Sequence, residues 1–167
     1  MSDADAPRLR QPAHLVSPRA KLLWLIEGSA AVLVLLAVQA GWWFLDGRGS
    51  RTPHLVVGAA WLVLGGAYLA VMPVWRYRVH RWETTATAVY TQTGWFDQER
   101  RIAPVSRVQT VDLSRGPVAQ LLGLASVTVT TASAAGPLKI HGLDLDVAHR
   151  LVEELTARTV AEPGDAT

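Results

Sequence analysis

Two long apolar runs constrain this chain more than any other feature. Leu22 to Leu45 carries one charged residue, Glu27, and Leu55 to Trp75 carries none. At about 1.5 Å of rise per residue they make helices of about 36 and 31 Å, enough to cross a hydrocarbon core of about 30 Å with some tilt. A helix buried in a soluble protein is seldom apolar on every face for so many turns. The runs therefore predict two transmembrane spans. The first is too long for the apolar core of a signal peptide, shows no small-x-small cleavage site, and is followed closely by the second, so cleavage is not expected.

The intervening segment, Asp46 to His54, has two glycines and a proline and is a turn, too short for a domain. Arg8, Arg10, Arg19 and Lys21 precede the first span and Arg76, Arg78 and Arg81 follow the second, whereas the turn holds only Arg48 and Arg51 beside Asp46. Positive charge favours the cytoplasmic side, so the expectation is a multi-pass protein of the cell membrane with both termini cytoplasmic and the 46–54 loop outside. Trp24, Trp42, Trp43 and Trp75 lie near span ends, where indoles favour the headgroup region. Glu27 has two readings, a buried ion or proton site or a carboxylate reaching back to the interface toward Lys21 or Arg76. Its place little more than one turn from the end favours the second. Gly66 and Ala70 form a small-x-x-x-small pair that permits close helix packing, within the hairpin or between chains.

Half of the residues are hydrophobic and 18% are charged, in keeping with a membrane protein. The absence of cysteine removes disulfides, thiol catalysis and thiolate metal sites. A net charge of +2 gives no reason to expect nucleic acid as a partner. The charge is polarised, however: residues 76–115 carry +3 and residues 116–167 carry −3.

Beyond Arg76 the pattern changes to short β-like segments: Arg78–Thr84, Ala88–Thr93, Trp95–Ala103, Arg107–Leu113, Ser126–Thr131 and Leu138–His141. The first is rich in β-branched and aromatic residues. In Ser126–Thr131, Val127 and Val129 alternate with Ser126, Thr128 and Thr130, as expected of a half-buried strand. About six strands with regular turns predict a sandwich or barrel. Pro117–Leu122 suits a single helical turn ended by Gly123. Asp144–Arg158 is a longer helix, with Val147, Leu151 and Leu155 on one face, Asp144 as cap and Arg158 near the negative end. The expected organisation is an N-terminal tail over 1–21, a hairpin over 22–75 (spans 22–45 and 55–75), a cytoplasmic domain over 76–160, and a disordered polar tail over 161–167.

From Thr93 to Ala132 the chain resembles the bacterial pleckstrin-homology (PH) domain family of YdbS-like membrane proteins. The resemblance rests on Gly94-Trp95-Phe96, Ile102-Ala103-Pro104, Arg107-Val108-Gln109-Thr110-Val111 and Leu121-Leu122-Gly123-Leu124, in that order and spacing. It extends over roughly residues 78–158, and two preceding spans are usual in it. It implies a membrane α-helical hairpin plus a mainly-β, PH-like split barrel with a C-terminal helix, but names no reaction. Relatives of the PH fold often bind lipid headgroups or peptides, an analogy from fold alone.

No catalytic constellation is present. His14, His54, His80, His141 and His149 fall at no metal-ligand spacing, and there is no HExxH, G-x-S-x-G or P-loop. No catalytic residue, metal or cofactor is expected, and an enzyme is not the expectation. The candidates for lipid or partner binding are Arg78, Arg81, Arg100, Arg101, Arg107 and Arg115, with Arg76 beside them. If these faced the inner leaflet, each could add about 1 kcal/mol of attraction to anionic lipid. Alternatively, Arg76, Arg78 and Arg81 only fix topology while the others pair with Asp97, Glu99 and Asp112; the interleaved acids favour this. The reading is a membrane-anchored, non-enzymatic interaction module that assembles with other membrane proteins or with itself. The alternative is recognition of anionic lipid headgroups by the basic face.

Overall fold

The computed structural model describes residues 11–47, 49–133 and 136–161, with the backbone alone at 160 and 161. Arg8, Arg10 and Arg48, and residues 162–167 of the expected tail, lie outside the described residues, while Ala161, expected to begin that tail, is the last residue of the final helix. The two apolar runs form helices α1 (Ala20–Leu45) and α2 (Thr52–Val79), packed as an antiparallel hairpin. Away from the domain their side chains are open: Leu33 is 64% and Leu62 63% exposed. In water such a surface would not persist, so lipid is its natural cover. The chain is an integral membrane protein.

The hairpin closes through glycines other than the expected pair. A Cβ on Gly65 would lie 3.0 Å from Val32 Cγ1, and one on Gly28 would lie 3.2 Å from both Leu69 and Tyr68. Gly66 has open space where its Cβ would be, and Ala70 is exposed. The small-residue contact inside the hairpin is thus made by Gly28 and Gly65, while Gly66 and Ala70 face away from α1.

α2 outlasts the apolar run by about one turn, so Arg76 and Arg78 are helical and the expected strand from Arg78 shortens to β2 (Arg81–Thr84). β3 (Ala88–Gly94) and β4 (Gln98–Pro104) follow as a hairpin. Trp95, expected to start a strand, instead lies in the turn, because Gly94 at φ +106° reverses the chain onto the Asp97 carbonyl. After a 3-10 turn at Val105–Arg107 come β5 (Val108–Ser114), the short helix α3 (Pro117–Leu121), β6 (Leu124–Thr131), β7 (Leu138–Asp144) and helix α4 (Leu145–Ala161).

One strand was not expected. His14–Leu15 form β1, which pairs antiparallel with Trp82 and Arg81 of β2. Two antiparallel sheets result, β1-β2-β3-β4 and β5-β6-β7. They make a split, unclosed barrel with α4 packed on the second sheet, as in PH-like domains. Val89, Leu124, Val127 and Val129 fill the space between the layers, and Ala148, Leu151 and Leu155 close it from α4.

Residues 14–21 of the segment expected to be a tail therefore belong to the domain. Val16 and Ala20 are buried, the Ser17 N–H donates to the Gly142 carbonyl (2.8 Å), and Ser17 Oγ donates to Asp144 Oδ1 (2.8 Å). Trp24, expected at the headgroups, is 1% exposed and sits in the domain core. Because β1 precedes α1 and pairs with the strand that follows α2, both ends of the hairpin enter one folded body.

Candidate interaction site

The six candidate arginines do not form one patch. Strand register puts Arg81, Gln92 and Arg100 in one row across β2, β3 and β4, so their side chains share a face. Arg101, one residue on, points to the opposite face, donating from Nη1 to the Pro137 carbonyl (2.7 Å) and lying 3.3 Å from Glu99 Oε1. Arg115 is structural, donating to the carbonyls of Leu124 (3.1 Å) and Gln120 (3.3 Å) and so holding the β5–β6 connection. Arg78 and Arg107 are exposed, in the last turn of α2 and in the 3-10 turn. Gln92, which the sequence did not single out, is 3% exposed, and its side-chain oxygen has no partner among the described residues.

A second feature was also missed. Trp82 lines a cleft of about 370 Å³ with His14 to Pro18 of the N-terminal segment, Leu143 and Asp144 of β7, and Val147 of α4. A second cleft of about 670 Å³ shares Ser17, Pro18, Asp144 and Val147 and runs on past Arg19, Asp146 and Arg150. The Trp82 indole N–H is buried without a partner among the described residues. A buried donor in that state costs free energy that a ligand carbonyl can recover. A β-like His14-Leu15-Val16 before Pro18 is the one local sign of it, but nothing local tells that this run will meet β2 and α4.

At the junction of hairpin and domain, His80 is 2% exposed and its Nδ1–H donates to the Arg76 carbonyl (2.9 Å). Burial lowers its pKa to about 4; that hydrogen bond opposes the shift, while the Arg76 charge and His141 add to it. His141, 3.2 Å from Ser126 Oγ, is also lowered, first by burial and then by the charges of Arg76 and Lys139. Glu27 is exposed, and its negative charge acts on Arg76. Among the described residues no group of acids and histidines is placed to hold a metal ion.

A two-helix membrane hairpin carrying a β-domain of this topology is a membrane-anchored PH-domain protein. The family described as Bacterial PH domain matches residues 22–159, spans included, and the chain belongs to that family. It is 29% identical over 153 residues to the UPF0699 transmembrane protein YdbS of Bacillus subtilis (strain 168), a match covering 87% of this chain and 92% of that protein. No solved structure gives a significant match. The family is not a known enzyme family.

Proposed function

We propose that the protein is a non-enzymatic interaction module whose domain, on the cytoplasmic side, docks a segment of another membrane protein in the groove between its N-terminal segment, β7 and the start of α4. The groove carries this reading, above all the unpartnered buried Trp82 N–H beside it. Its two clefts share Ser17, Pro18, Asp144 and Val147 and are mixed in polarity, which suits a peptide segment. Asp144 and Asp146 in its lining are matched by Arg19 and Arg150, so the groove carries no net positive charge to draw an anionic headgroup. The test is site-specific photo-crosslinking in intact membranes from residue 15 or 147. The expectation is a discrete protein adduct that Trp82→Phe, which keeps the ring packed against the core but removes the indole N–H, weakens while the protein in detergent stays folded. No adduct from either position, or one that Trp82→Phe leaves unchanged, would sink the reading.

A second reading, binding of anionic lipid headgroups, is favoured by the Arg81–Gln92–Arg100 row alone. It requires binding to anionic vesicles that weakens with salt, since exposed charges are screened.

A further inference from the structure

The tip of the β3–β4 hairpin has the wrong chemistry for a turn in water. Such turns favour glycine, asparagine, aspartate and serine, yet here Gly94 is followed by Trp95 and Phe96, 43% and 91% exposed. Neither ring is needed to make the turn, which Gly94 and the Asp97 carbonyl already form.

The position of the tip explains its composition. The Trp95 ring meets Tyr68 edge-to-face, centroids 6.0 Å apart, and Phe96 lies against Trp95 at 6.2 Å. Tyr68 belongs to the second span, about 12 Å along the helix from Arg76. Its ring is also close to Gly28, whose Cβ would lie 3.2 Å from Tyr68 Cε1. From Gly28 to Leu45 α1 carries no charge, about 27 Å of helix that must span the hydrocarbon. Tyr68 and Trp95 therefore stand on the domain's side of the hydrocarbon, level with the start of the uncharged run of α1 and within the apolar run of α2.

We infer that Trp95 and Phe96 form a membrane wedge, inserted at the boundary between headgroups and acyl chains of the leaflet next to the domain. The occupant of this apolar tip is lipid, because the span beside it fixes its depth. Indole rings favour that boundary, and phenyl rings bury just beneath it. Asp97, exposed at the end of the turn, limits the depth, since a carboxylate in hydrocarbon is costly. The wedge is a third attachment beside the two spans and fixes how the domain faces the bilayer. It does not rest on the protein-docking groove.

The absence of cysteine makes the test direct. Full-length Phe96→Cys, labelled with an environment-sensitive fluorophore, is reconstituted in phosphatidylcholine–phosphatidylglycerol vesicles, with Thr87→Cys at the other end of β3 as reference. Lipids carrying doxyl groups high on the acyl chain should quench position 96 at least about threefold more than position 87, with blue-shifted emission at 96. Equal quenching, with both labels open to aqueous iodide, would overturn the wedge. A label at 96 shielded from iodide yet untouched by doxyl lipid would overturn it too, by showing a second chain on the tip. Gln98→Cys, which leaves Asp97 in place, provides an independent position, expected to be quenched less than 96 and more than 87; the reverse order would overturn the wedge.

Discussion

The indole of Trp24 lies against the imidazole of His80, ring centroids 4.8 Å apart and planes tilted by 55°. The pair joins the first turns of α1 to the residue at which α2 gives way to the β-domain. The Arg76 guanidinium stacks on the same indole, 4.6 Å from its centroid. A proton on His80 would place a second cation in this buried corner.

His80 is accordingly expected to stay neutral. Its folded pKa of about 4 lies below the ordinary 6.5, so the unfolded chain binds the proton first. The stabilisation is complete above pH 6.5 and is lost as pH falls toward 4, a change of about 3 kcal/mol. Imidazole resonances of the protein in detergent should show His80 uncharged at pH 5.5, with His141 also titrating below the usual range. Half-protonation of His80 near pH 6.5 would contradict the buried placement.

Gly142 is expected to tolerate no side chain. It has φ +75°, and a Cβ there would lie 2.7 Å from the Cβ of Ala20. Gly142→Ala should cost about 2–4 kcal/mol, from the left-handed backbone and overpacking together. Adding Ala20→Gly should restore part of that loss, measured by thermal unfolding in detergent. Equal melting of single and double variants would show that the contact is not the cause.

A soluble fragment of residues 80–161 should fold poorly. It lacks Val16, Ala20, Leu23 and Trp24, which belong to the same core cluster as Leu143 and Ile140. Its circular dichroism should show less β-structure and a broader melt than a fragment in which residues 11–24 are rejoined through a flexible linker. Identical melts would mean that the N-terminal segment only decorates the domain.

Leu151→Ala should destabilise the domain by about 2–5 kcal/mol, since Leu151 is 2% exposed among the layers that α4 closes. Chemical unfolding followed by near-ultraviolet circular dichroism measures this, and a loss below about 1 kcal/mol would mean that α4 does not cover the core.

The orientation is testable separately. A reporter fused at Thr167 should be active as a cytoplasmic protein, and one inserted in the 46–54 loop as an external protein. The reverse pattern would place the groove, the arginine row and the hairpin tip on the outer face.

The hairpin and the β-domain were legible because long uncharged runs and alternating strands are local signals, readable without knowing what each segment meets. Val127 and Val129 alternate as expected and are fully buried. The site was less legible because pairing across many residues is not written locally. Arg81, Gln92 and Arg100 become neighbours only through strand register. Trp24 looks like an interfacial anchor until β7 is seen to turn its Gly142 toward α1. Arg115 counted as a surface charge until the β5–β6 connection wrapped around it.

The pairing of His14 with Trp82 also sets an order of events during synthesis. The N-terminal strand leaves the ribosome before its partner exists, with the second span still to be made. Closing so long a loop waits until the hairpin has been laid into the bilayer, and insertion then brings the two ends together and removes much of the entropic cost of that search. The membrane thus acts as the template on which the domain finds its first strand.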